Sequence, residues 1–235
     1  MAMHVMNEIP KGTFSIEDGP RMASCTDFTL TVHGVSTHGS MPHLGKDAIV
    51  AASAIIMNLQ TLESRVNNAL RPLVITIGTV RAGGQFNIVS DKVEMTGTIR
   101  TFDPENFRAM PISLKKLAEA TAEALGCTAE MSIQTSEPAA INDKPLLVET
   151  ARKAAVKLYG EDVLASMKQK MGSEDFAVIM EKVPAVLCFL GYHDEKDGTT
   201  FPLHTKDFCV NDDILDKGSA LFAQFATDFL KGEKA

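Results

Sequence analysis

A few short loops hold the histidine, carboxylate, arginine and amide side chains of this sequence that could do chemistry. VHGVSTHGSMPH, residues 32–43, carries His33, His38 and His43. A catalytic zinc takes about three protein ligands from His, Cys, Asp or Glu, usually gathered from distant parts of a chain. The spacings of five residues here match no zinc-ligand pattern. His33 alternates with Val32 in a strand-like run and reads as a solvent-facing strand residue. His43 follows Pro42 and reads as a turn contact at a helix start. His38 lies between Thr37 and Gly39 in a tight loop, where functional side chains are often held; by residue type alone, a turn role and a chemical role are equally open. FPLHTKDF sets His204 in a loop ahead of the last helix. MGSEDFA places Gly172 and Ser173 before a helix start, with Glu174 and Asp175 in its first turn. Those acids could simply favour the helix dipole, or the Gly-Ser amides could hold an anionic substrate or oxyanion. GGQFN presents Asn87 at a glycine turn, as turn former or ligand contact. Arg100 ends a strand in GTIRTF, as an ordinary surface charge or as a carboxylate clamp.

Regular elements must position these loops. DFTLTVHGV alternates Phe28, Leu30 and Val32 against Thr29, Thr31 and His33, which predicts a half-buried strand. KDAIVAASAIIMNLQTLESRV has apolar residues at helical spacing and no internal Gly or Pro. LVITIGTVRAG and KVEMTGTIRTF read as strands, PENFRAMPISLKKLAEATAEALG as a helix stopped by Gly126, and TAEMSIQTS as a further strand. The order β-α-β-β-α-β is that of a ferredoxin-like split unit over residues 26–136. Beyond it, PLLVETARKAAVKLYG reads as a helix ending at Gly160, and SEDFAVIMEKV as a short helix with Ser173 as its N-cap. AVLCFLGY reads as a strand buried on both faces, and NDDILDKGSALFAQFATDFLKG as a closing amphipathic helix. One such strand with three helices is little for a doubly wound sheet. Residues 1–25 are expected to join 137–235 in a second module, with 26–136 inserted between them.

Composition is that of an ordinary globular chain, 45% apolar and 23% charged. With 23 basic and 30 acidic residues the net charge is −7, and the basic residues are scattered. Binding to nucleic acid or an anionic membrane by bulk electrostatics is not expected. Cys25, Cys127, Cys188 and Cys209 form no CxxC pair and lie in or beside apolar runs, as reduced thiols do. The amino terminus shows no basic segment followed by an apolar one, and no apolar run approaches the roughly 18 residues of a membrane span. A soluble, cytoplasmic protein is the expectation.

Four stretches, HGVSTHGSMPHLGKDAI, TIGTVRAGGQFNIVSDKVEMTGTIRTF, MGSEDFA and PLHTKDFCVNDDIL, occur in this order. Together they resemble the dinuclear-metal amidohydrolases and peptidases that include hippurate hydrolase, N-acyl-amino-acid amidohydrolases and indole-acetyl-amino-acid hydrolases. The likeness runs from His4 almost to the carboxyl end. It implies an α/β fold in which a three-layer zinc-peptidase-like domain, here partial over residues 1–25 and 137–235, carries an inserted α+β ferredoxin-like lid, residues 26–136. The lid also forms a homodimer contact in that family. The implied activity is metal-dependent hydrolysis of an N-acyl amino acid to a carboxylic acid and an amino acid, with two zinc or manganese ions. HVMNEIPKG resembles a segment with a metal-ligand histidine, here His4, and PLHTKDF the segment with the last metal ligand, here His204. THGS resembles the loop whose histidine reaches the substrate carbonyl across the dimer, here His38. Asn87 then stabilises the oxyanion, Arg100 holds the free carboxylate, and Gly172, Ser173 and Glu174 line the pocket. Ser90 stands where the family usually has proline, a change expected to alter a turn.

The large departure lies upstream. The family draws further metal ligands from a CGHDxH-like stretch and a Glu-Glu pair, one glutamate of which is the general base. Neither CGHD nor EE occurs in the 235 residues. The resemblance therefore implies a carboxy-terminal portion, truncated or split from an upstream half, that is inactive alone. The alternative is a non-enzymatic module that dimerises or binds a small carboxylate.

Overall fold

The computed structural model describes residues 1–232. In chain order its elements are β1 (Ala2–Pro10), β2 (Phe14–Ser15), β3 (Gly19–Met22), β4 (Cys25–His33), β5 (Thr37–His38), α1 (Ala48–Thr61), β6 (Leu73–Ala82), β7 (Ile88–Val89) and β8 (Lys92–Thr101). There follow α2 (Pro104–Ala124), β9 (Thr128–Glu137), β10 (Ala140–Asn142), α3 (Pro145–Tyr159), α4 (Phe176–Met180), β11 (Leu187–His193) and α5 (Leu215–Leu230). The chain divides into two compact units. One comprises Ala23–Ala139 with Met171–Glu174; the other comprises Met1–Met22, Ala140–Lys170 and the residues from Asp175 on.

The first unit is a four-stranded antiparallel sheet in the order β6-β8-β4-β9. Its main strands alternate with α1 and α2 in the ferredoxin-like sequence of elements. Phe28, Leu30 and Val32 of β4 and Val93, Met95 and Ile99 of β8 meet Ala48, Ala51, Ala52, Ile55 and Leu59 of α1, with Met110, Leu114, Ala118 and Ala122 of α2. Period two on the strands and period 3.6 on the helices thus converge on one core. Asp47 caps α1 by accepting from the amides of Ile49 and Val50, and Asp103 caps α2 by accepting from those of Glu105 and Asn106. Such a cap stabilises a helix by about 1 kcal/mol. Gly97 lies opposite Phe28 in the ladder, and a Cβ there would stand 2.6 Å from the Phe28 ring and 2.3 Å from the Thr76 carbonyl oxygen. Only glycine leaves the ring that room.

The second unit is built on β11, which pairs parallel with β1 and antiparallel with β2. Cys188, Leu190 and Tyr192 turn to a core with Phe14, Ile16 and residues of α3 and α5, including Val148, Ala151 and Leu221. Leu187 and Phe189 turn to another, with Met6, Ile9, Met22, Ala140, Met167 and Ala177. The continuous apolar run of this strand is explained by cover on both faces. Asn142 staples the unit: its Nδ2 donates to the carbonyls of Glu17 (2.8 Å) and Leu187 (2.9 Å), and its Oδ1 accepts from the Leu187 amide (2.8 Å).

One element is added here and one expectation corrected. The sequence reading assigns no element to residues 2–10, and they form β1. Met3 and Val5 turn to one core and Met6 and Ile9 to the other, and the register shifts between Met6 and Pro10, so no simple alternation survives. Ser173 is not the N-cap of α4. That helix begins at Phe176, preceded by Asp175 without a side-chain cap, and the Ser173 hydroxyl accepts a hydrogen bond from Arg100 instead.

Candidate functional site

In the ferredoxin-like unit, His38 and Asn87 come from separate loops that the short β5–β7 ladder draws together. His38 pairs with Ile88 in that ladder, and the Gly39 amide donates to the Asn87 carbonyl at 2.7 Å. A Cβ on Gly39 would stand 2.9 Å from that carbonyl oxygen, so the close approach of the two loops rests on glycine. Nδ1 of His38 accepts from the Ser40 amide at 3.1 Å and lies 2.8 Å from the Ser40 hydroxyl. An Nδ1 that accepts from an amide leaves the proton of the neutral ring on Nε2. The exposed ring therefore presents a donor outward. Sequence reasoning missed Ser40, although its place two residues after His38 in THGS was the available signal.

Ser90 lies just past this ladder, and its hydroxyl donates to the Lys92 carbonyl at 2.9 Å, closing the turn into β8. His33 is exposed and faces Glu130 across the sheet at 3.1 Å. His43 is exposed in a short 3-10 turn, Pro42–Leu44.

Arg100, on the open face of the same sheet, donates from Nη1 to the Ser173 hydroxyl at 2.8 Å. Its Nη2 stands 4.0 Å from Oδ1 of Asp27. Gly172 is held to this unit by the Ala23 amide, which donates to its carbonyl at 2.8 Å, and Glu174 closes the same segment. The Cys25 thiol donates to Asp27 at 3.2 Å; burial, then that carboxylate, push its pKa up. All four cysteines are free, and burial raises Cys188 to about 12. Burial thus disfavours the thiolate, the reactive form, at both positions.

The second unit holds His4 and His204. His4 lies in β1, with Nδ1 2.8 Å from the Val5 carbonyl and its ring edge-on to Phe189 at 6.4 Å. His204 is exposed and has φ of 62°, the one positive φ among described non-glycine residues. For an L residue that conformation costs about 1–2 kcal/mol, and such strain concentrates at functional positions. The loop around it is pinned: the Tyr192 hydroxyl donates to the Phe201 carbonyl at 2.8 Å, and the Thr205 hydroxyl to that of Pro202 at 2.9 Å. No group of three or more His, Cys, Asp or Glu able to hold a metal ion occurs among the described residues. Two histidines fall short of the roughly three protein ligands a catalytic zinc takes. The described residues thus do not by themselves gather a donor set that fits a dinuclear centre.

Residues 24–125 match the peptidase dimerisation domain of the M20 peptidases. Over 97% of its length the chain is 33% identical to N-acetylcysteine deacetylase of Bacillus subtilis, covering 58% of that protein. The chain is related to the M20 peptidases. It is also 30% identical, over 99% of its length, to IAA-amino acid hydrolase ILR1-like 4 of Arabidopsis thaliana, covering 54% of it. Among solved structures it superposes on the Bacillus subtilis YXEP protein, a dinuclear metal-binding peptidase of the M20 family, with a TM-score of 0.76 and 30% identity. That match covers 97% of this chain and 56% of the other. The chain therefore spans a little over half the length of these M20 relatives.

Proposed function

We propose that this chain supplies the substrate-gripping and dimerising part, with two of the metal ligands, of a metal-dependent amidohydrolase that cleaves N-acyl amino acids. The observation that carries this reading is the β5–β7 ladder, which sets a donor-presenting His38 beside the Asn87 turn. In an amide hydrolase both side chains would donate to the scissile carbonyl oxygen as it gains charge. Removing one such donor typically costs about 10²–10³ in kcat. Arg100 would hold the carboxylate of the amino-acid half, because a planar guanidinium matches a carboxylate two bonds at a time. Gly172 and Glu174 would line the pocket beside it. His4 and His204 would be metal ligands, the remaining ligands and the general base coming from outside these residues. Relatives named as a deacetylase of an N-acetylated amino acid and as a hydrolase of IAA-amino acids support the substrate class.

Homodimerisation through the ferredoxin-like unit belongs to the same reading. Its edge strand β6 packs against α1, and Val80, Val50 and Met57 on these elements are 52%, 52% and 70% exposed. An uncovered strand edge beside exposed apolar residues suits a second copy of the same surface.

A chimera tests the proposal: this chain joined to the portion of the Bacillus subtilis YXEP protein that it does not match. With zinc or manganese it is expected to release amino acids from N-acetyl and N-(indole-acetyl) amino acids, and to lose at least about a hundredfold in kcat on His38→Ala. A folded chimera that binds two metal ions and hydrolyses none of these amides would overturn it.

A further inference from the structure

Arg100 has a neighbour that a carboxylate clamp does not need. Its side chain is 24% exposed, and of its five donors one, on Nη1, is taken by the Ser173 hydroxyl at 2.8 Å. Nη2 faces Oδ1 of Asp27 at 4.0 Å, beyond hydrogen-bond range but well within electrostatic reach. Asp27 does not close on the arginine. Its Oδ1 accepts instead from the thiol of Cys25, a side chain only 3% exposed, at 3.2 Å. The carboxylate is thus held back by a buried donor while its charge points at the guanidinium. On the same sheet face, a shallow hollow of about 390 Å³ is lined by Asp27, Thr29, Thr76, Thr96 and Thr98 among others. Ser173 is itself fixed, because the neighbouring Gly172 carbonyl is bonded to the Ala23 amide.

We propose that Ser173 is a positioning residue that orients Arg100, and that Asp27 is a built-in counter-carboxylate whose charge competes with that of an incoming ligand carboxylate at the guanidinium. This deepens the proposed function and rests on its reading of Arg100 as the carboxylate holder. Two neighbours of one arginine then act with opposite signs. Losing the Ser173 hydroxyl frees the guanidinium to turn, so each bond to a carboxylate must order it anew and binding weakens. Neutralising Asp27 removes a competing negative charge, so binding tightens. Both groups are partly exposed, which limits each effect to a few-fold.

The test is a titration of the whole chain with N-acetyl-L-alanine, and with its neutral amide as control, followed on the Arg100 Nε–H NMR signal and on backbone amides of β8. The acid is expected to bind measurably tighter than the amide. Ser173→Ala is expected to weaken the acid about five-fold and the amide not at all, and Ser173→Thr, which keeps the hydroxyl, to restore it. Asp27→Asn, which keeps the shape and the acceptor for Cys25, is expected to tighten the acid about three- to five-fold. Equal acid affinity in Ser173→Ala and the parent, or weaker binding in Asp27→Asn, overturns the inference while leaving Arg100 as the clamp. An acid preference that survives Arg100→Ala overturns the clamp reading, and the inference falls with it. Unchanged amide shifts across β8 in each free variant establish that the sheet is intact.

Discussion

Four strands and two aspartate-capped helices close a single core in the ferredoxin-like unit, whereas the sheet around β11 has three strands and turns its faces to two separate cores. The candidate chemistry divides in the same way. In the first unit the candidate substrate-side residues meet partners from the same unit: His38 with Ser40, the His38 loop with the Asn87 turn, Arg100 with Ser173. In the second, two candidate metal histidines are present, and no group of three or more possible ligands forms among the described residues. The relatives matched here are longer, this chain covering 58% of one and 56% of another.

The largest expected effect separates the two cores. Phe28 is 1% exposed at the centre of the ferredoxin-like core, so Phe28→Ala should cost about 3–5 kcal/mol. Hydrogen exchange should show α1, α2 and β8 losing protection while β11 keeps its own. Equal loss in β11 would mean that the units fold as one, against the division drawn here. Asn142→Ala tests the other unit. It removes three hydrogen bonds that hold Leu187 and Glu17, the two to Leu187 buried, and should cost about 2–3 kcal/mol in urea unfolding, with protection falling first in β11.

A smaller contrast lies in the acid branch. Burial pushes the Glu17 carboxyl up, but hydrogen bonds from Ser166, the Met167 amide and Ser15, together with the charge of Arg21, outweigh this and hold it below its ordinary value. Its folded pKa is thus below its unfolded one. The stability it contributes is present above the unfolded value, about 4.3, and is lost as pH falls through the folded value. Glu17→Gln should therefore flatten the fall of the urea midpoint below about pH 4, with β11 rather than β8 reporting the change. Smallest in stability is Met57→Asp, an exposed site where substitution should stay within about 0.5 kcal/mol. Analytical ultracentrifugation should nonetheless show self-association reduced, and an unchanged dimer would place the contact away from α1.

What the sequence made legible follows the same contrast. The ferredoxin-like unit could be read because each strand has one buried face, so Phe28, Leu30 and Val32 alternate plainly and Gly126, at φ of 73°, ends its helix as expected. β1 could not be read, because a strand covered on both faces and shifted in register carries no alternation. His38, Asn87 and Arg100 stood out through loop chemistry and the family resemblance. The roles of Ser40 and Asp27 did not, because they depend on one ring nitrogen and on a 4.0 Å separation between side chains 73 residues apart.

The central proposal, that this chain brings candidate substrate-side residues but not a full set of metal ligands, is tested most directly by calorimetric titration of zinc into the purified chain and its His204→Ala variant. The account predicts no tight binding of two ions by either protein, since two histidines cannot replace the three or more ligands such a centre takes. Tight binding of two ions per chain, abolished by His204→Ala, would contradict it and make this chain a complete metal centre on its own.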